Sequence, residues 1–107
     1  MTGLTTDPNS ECLREIEPSG QQKCYLVLSE DEIAKGFVRP VRRSYVHMAC
    51  GAVTTMAKRI AETYARDPKF YGGTFCVRCG DHFPLVTSRG RAFRWDNPVE
   101  GSEYVGE

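Results

Sequence analysis

No segment of this chain is long and apolar enough to cross a bilayer. The first 23 residues, MTGLTTDPNSECLREIEPSGQQK, contain no apolar run behind a basic start, so no secretory leader is expected. There is one tryptophan, histidine occurs only twice, and no repeat is visible beyond two short pairs of metal-ligand residue types. The five cysteines are an odd number, which excludes a complete disulfide framework. A chain without an export signal is expected in the reducing cytoplasm, where paired cysteines serve metal ions more readily than disulfides. Net charge is also missing, since 14 Lys and Arg balance 14 Asp and Glu.

That balance hides a segregation. Residues 33–95 carry twelve Lys and Arg against three acids, and the remaining residues carry two basic and eleven acidic side chains. A basic body with acidic ends is the charge pattern to explain. At 107 residues the chain makes one domain. If the ends are loose, the packed part is only about 70–80 residues, a size at which a core benefits from a metal or a disulfide.

The local patterns predict a small α+β domain. Residues 1–23 are polar, with Pro8, Pro18 and Gly20, and read as a flexible arm. CYLVL (24–28) reads as a strand. In SEDEIAKG, Ser29 is placed to cap, Glu32 follows three residues on, and Gly36 closes a helix of barely two turns. FVRPVRRSYVH (37–47) reads as extended, because Pro40 disfavours helix before it and the aromatic and β-branched residues favour strand. Over 52–66 the spacing of Val53, Met56, Ile60 and Tyr64 predicts the one main helix, ended by Asp67-Pro68. HFPLV and RAFRW read as two strands joined by TSRG, and residues 96–107 as a loose acidic tail.

The chemistry is carried by HMACG (47–51) and CVRCG (76–80). Each places two zinc-ligand types two residues apart with a glycine directly after, and glycine tolerates the positive φ of a tight turn. Together, His47, Cys50, Cys76 and Cys79 make a Cys3His set, with His82, three residues past Cys79, as the rival fourth ligand. Four protein ligands close the tetrahedral shell, so the expected zinc, one per chain, is structural. Cys24 reads as core and Cys12 as exposed and silent. The strand into the first pair and the helix out of it resemble a treble-clef or ribbon-like zinc module over residues 41–90.

Enzymatic readings fit less well. A three-ligand zinc with water and a His82 base lacks the Glu-bearing motif such sites carry. DHFPL (81–85) resembles the opening of a His-Asn-His endonuclease motif, with Asn97 as the later asparagine, but the spacing is one residue short and no third metal-binding histidine follows. A redox Cys-x-x-Cys needs its first cysteine at a helix N-terminus, and CVRC runs into a strand pattern. The sequence therefore reads as a non-enzymatic module.

Arg39, Arg42 and Arg43, beside Phe37 and Tyr45, and Arg89, Arg91 and Arg94, beside Phe93 and Trp95, are candidate nucleic-acid contacts through phosphate binding and base stacking. The bland reading places the aromatics in the core and the charges in solvent. The competing partner is a protein, bound by a small zinc domain through complementary charge. YVHMACGAVTTM, IAETYARDPKFYGGTFC and HFP resemble a family of small uncharacterised bacteriophage- and prophage-encoded proteins, over about residues 37–86. That resemblance implies His47, Cys50, Cys76 and Cys79 as ligands and a phage accessory role in the cytoplasm of a bacterial host, on nucleic acid or a host protein. It implies no reaction.

Overall fold

The computed structural model describes residues 3–107. A four-stranded antiparallel sheet forms its centre. Its strands, in spatial order, are β10 (Ser102–Tyr104), β9 (Phe93–Val99), β3 (Ser44–His47) and β4 (Val53–Thr55). Side chains alternate across these strands as the pleat requires. Tyr45, His47, Thr54, Phe93 and Trp95 are buried, while Val53, Thr55 and Arg94 are exposed on the other face. Helix α2 (Lys58–Arg66) packs its buried residues Ala61, Thr63, Tyr64 and Ala65 into the core. The Tyr64 ring meets Trp95 edge-on at 5.6 Å, and Trp95 does the same to Tyr45 at 6.4 Å.

Two-stranded units surround this centre. β5 (Gly73–Cys76) pairs with β6 (Asp81–Pro84), and β7 (Val86–Thr87) with β8 (Gly90–Arg91) through the TSRG turn. Helix α1 (Glu30–Ile33) forms where expected: Ser29 Oγ accepts from the Glu32 N–H at 3.3 Å. The Glu32 carboxylate turns instead to Lys35 Nζ at 2.8 Å, which holds it below the usual carboxylate pKa. Among the described residues no helix is long and apolar enough to cross a membrane.

The α+β class stands, with more sheet than the sequence suggests. The expected main helix over 52–66 is cut to nine residues. Its first part is β4, because Val53, Thr54 and Thr55 favour a pleat and find β3 directly across the turn. Ser44 Oγ and Thr55 Oγ1, a cross-strand pair, lie 2.9 Å apart.

In the described residues, the expected arm over 1–23 and tail over 96–107 are replaced by docked elements. β1 (Gly3–Thr5) runs parallel to β2 (Cys24–Leu26), and a 3-10 turn over Glu11–Arg14 brings Cys12 to Cys24, to which it is disulfide-bonded. Cys24 is core as expected, but Cys12 is half-buried and bonded to it, so the reading of Cys12 as exposed and silent is corrected. Closing a loop this short is worth roughly 3 kcal/mol in the chain-entropy account. At the other end β10 pairs with β9, and Val105 is buried. Apolar residues too sparse to show a period still dock once a neighbouring strand supplies hydrogen bonds.

Among the contacts that bind the N-terminal segment to the rest is the close approach of Gly20 to Gly80. Gly20 has φ +94°, and a Cβ there would lie 1.9 Å from the Gly80 carbonyl oxygen. Gly20→Ala is expected to cost at least ~2 kcal/mol from conformation and clash combined. Amide exchange should speed up through β1 and β2 more than through β3 and β9; equal protection in both variants would remove this contact from the account.

Candidate metal centre

Two hairpin turns built alike bring the ligand pairs together. After β3, the His47 carbonyl accepts from the Cys50 N–H at 3.2 Å and the Gly51 N–H at 2.7 Å, and the chain re-enters β4. After β5, the Cys76 carbonyl accepts from the Gly80 N–H at 2.8 Å, and the chain re-enters β6. Gly51 (φ 76°) and Gly80 (φ 65°) hold the left-handed conformation that closes each curl. The glycine after each pair is therefore what lets both of its side chains turn inward.

The two turns face each other. Cys50 Sγ lies 3.4 Å from His47 Nδ1 and 3.5 Å from Cys76 Sγ, and Cys79 Sγ lies 3.7 Å from His47 Nδ1. The four ligand atoms all lie within 4.8 Å of one another, so His47, Cys50, Cys76 and Cys79 form a group that could hold one metal ion. The Nδ1 atom is the imidazole nitrogen presented to the sulfurs. The ring is clamped between Phe83 at 4.6 Å and Phe93 at 4.7 Å, both stacked, and the residue is 5% exposed. Cys76 is fully buried, Cys50 half-buried, and Cys79 exposed at the outer edge.

The thiol electrostatics are compatible with a cation at this group. Burial pushes the Cys76 thiol up, but hydrogen bonds from the Cys79 backbone, the Cys50 and Cys79 thiols and the Arg78 backbone carry it below its ordinary value. Cys79 is pushed up to about 11, first by its side-chain hydrogen bond to Cys76, then by burial and by Cys50. Three thiols this close cannot all ionise without a positive charge among them. A divalent ion inverts that logic and takes all three as thiolates.

His82 lies outside this group. Its Nε2 is 2.7 Å from the Tyr25 hydroxyl, and burial lowers its pKa despite the Asp81 charge, so a neutral ring is favoured. His82 thus ties β6 to β2. His47→Ala is expected to lose the metal and the fold, while His82→Ala retains about one equivalent by elemental analysis; the reverse would move the fourth ligand to His82.

The arginines named as candidate contacts differ in exposure and in their partners. Arg42 is buried at 6% exposure, with Nη2 2.6 Å from Ser102 Oγ and Nη1 2.6 Å from the Ser102 carbonyl, so it is a structural clamp and is withdrawn as a nucleic-acid contact. Arg91 Nη2 lies 3.9 Å from a Glu107 carboxylate oxygen. Arg43, Arg89 and Arg94 are exposed, and Arg39 is half-buried with Nη1 donating to its neighbour Val38. Of the aromatics named beside them, Tyr45, Phe93 and Trp95 are core, and Phe37 is exposed. Asn97 stands four residues along β9 from Phe93, the ring that stacks on His47, and lines a depression with Arg42, Arg43 and Asp96.

Sequence reasoning missed Arg42's role because its partners lie 55 and 60 residues away. No protein-family model, curated protein or solved structure matches this chain.

Proposed function

We propose that this chain is a small zinc-stabilised binding module whose metal is a staple rather than a tool. The observation that carries this is the ligand spacing. Zinc bonds of about 2.3 Å to sulfur and 2.0–2.1 Å to nitrogen give tetrahedral edges of ~3.8 Å between sulfurs and ~3.6 Å between sulfur and nitrogen. One of the cluster's three sulfur–sulfur edges is 3.5 Å and two of its three sulfur–nitrogen edges are 3.4 and 3.7 Å, with all six within 4.8 Å. Three thiolates and one imidazole leave no position for water or substrate, so no hydrolytic step is assigned to the centre, and the His-Asn-His nuclease reading is the weakest of those considered.

The partner we favour is nucleic acid, held through the phosphate backbone by the exposed Arg43, Arg89 and Arg94, with the half-buried Arg39 near Arg43 in sequence. A host protein is the second reading. Phe37, Val38 and Val41 are 45%, 53% and 40% exposed within five residues, beside Arg39, which suits docking to an acidic partner with an apolar spot. Both partners agree with an accessory protein of phage origin, as the sequence resemblance implies. The test is binding of the zinc-loaded chain to single- and double-stranded DNA and to RNA across a salt series. Steep weakening with salt supports phosphate contacts; no binding at low salt transfers the assignment to a protein partner.

A further inference from the structure

None of residues 3–23 is buried, yet they lie docked along the body. Leu4 is 43% exposed and Ile16 61%. Burial therefore contributes little to holding this segment, and the entropy of ordering so long a stretch has to be offset elsewhere. The non-covalent ties are modest as well. β1 pairs with β2 over three residues, and the exposed side chains of Lys23 and Glu15 lie 3.8 Å apart, an ion pair worth little in water. The Cys12–Cys24 disulfide is the covalent tie.

β2 is fixed differently. Cys24 and Val27 are buried, and the Tyr25 hydroxyl lies 2.7 Å from His82 Nε2. The Leu26 carbonyl accepts from the Tyr71 hydroxyl, and the Leu28 N–H donates to Thr63 Oγ1 at 3.2 Å. The disulfide thus joins a surface strap to an anchored strand. What the strap covers is poorly filled. Leu4 and Gln21 close one hollow of about 100 Å³ against Ile60 and Phe75, and Ser19 and Gln21 close another of about 330 Å³ against Val53 and Val77. Native contacts are normally close-packed, so gaps on both sides mark a cover that adds little by its fit.

The bond is open to exchange at one end. Cys24 is 4% exposed and Cys12 half-buried, so attack by a thiolate falls on Cys12 Sγ. One sulfur of a dithiol bonds to Cys12 Sγ, and the Cys24 sulfur leaves and takes up a proton. The second sulfur of the dithiol then displaces Cys12, which is protonated in turn. Two electrons and two protons pass to the pair, and the dithiol ends as a disulfide. Ser10 Oγ, 3.0 Å from Cys12 Sγ, is placed to donate to the departing sulfur.

We propose that the Cys12–Cys24 disulfide is a redox latch: oxidised, it holds residues 3–23 over the face made by α2, β4 and β5, and reduction by a dithiol releases them and bares that face. The test treats the metal-loaded full chain with dithiothreitol, zinc being in slight excess. Thiols are followed by alkylation and mass, metal by elemental analysis, and the backbone by amide exchange. The amides of Lys23 and Val27, whose acceptors are the Glu15 and Thr5 carbonyls, should exchange about tenfold faster or more once the bond opens. Trypsin should cut after Arg14 faster by a similar factor. The amides of β3 and β9 and the metal content should not change. Cys12→Ser should show the same loosening without reductant, and it decides if dithiothreitol strips the metal. A bond that resists the dithiol in the native protein would overturn the proposal, as would strap amides equally protected in both redox states. So would loss of the whole fold, either on reduction with the metal retained or in Cys12→Ser.

Discussion

Stripping the metal is expected to unfold this protein, and Trp95 will report it. The indole is 2% exposed, and it is the only tryptophan in the chain. The cluster joins the β3–β4 turn to the β5–β6 turn, and these two turns bracket α2. Without a cation the site holds three crowded thiols, one fully buried, and an imidazole pressed between two phenylalanine rings. Structural zinc contributes on the order of 10 kcal/mol or more in small modules, comparable to the whole stability of a domain this size. Chelation should therefore shift Trp95 emission to the red in one cooperative step, and added zinc should restore it. Cys76→Ser with Cys79→Ser should reproduce the unfolded state without chelator. If stoichiometric metal removal leaves the emission and the amide spectrum unchanged, the metal is not the staple.

Arg42→Ala should be the most damaging change outside the metal centre. The guanidinium spans Ser102 and the Asn97 carbonyl and stands 4.6 Å above the Trp95 ring. Ser102 is itself buried, and its hydroxyl donates to the Glu107 carbonyl at 3.0 Å. Truncating Arg42 leaves the Ser102 carbonyl short of a donor and removes a cation–π contact. The loss should be about 3 kcal/mol, since hydrogen bonds from a charged group are worth ~1.5–3 kcal/mol and do not add fully. For a chain of this length that lowers Tm by ~12 °C or more. Arg42→Lys should recover little, because an ammonium lacks the planar fork that reaches two acceptors. Arg94→Ala, on the exposed face, should stay within about 0.5 kcal/mol of the parent. Equal urea midpoints for Arg42→Ala and Arg94→Ala would show that the clamp contributes nothing.

The His47, Cys50, Cys76 and Cys79 group was legible in the sequence because its information is local. Spacing of two and a following glycine describe each turn completely, and only the meeting of the turns needed coordinates. The capped α1 was legible for the same reason. The 52–66 segment misled because Met56, Ile60 and Tyr64 keep a helical spacing, while Val53 fits it by coincidence and is half exposed in a strand. The docked ends, the Cys12–Cys24 pairing and the Arg42 clamp were invisible. Each depends on a partner far along the chain or on a strand of three residues, too short to show a period.

The sheet order has a consequence for synthesis. All four cluster residues have left the ribosome's peptidyl transferase centre once residue 79 is joined, yet β9, which lies against β3 at the middle of the sheet, is still to be made. A growing chain thus acquires its sulfur and imidazole donors before Phe93 arrives to clamp His47 and Trp95 arrives to cover Tyr45. A truncation just short of Phe93 would therefore keep all four cluster residues while leaving the apolar face of β3 open to aggregation.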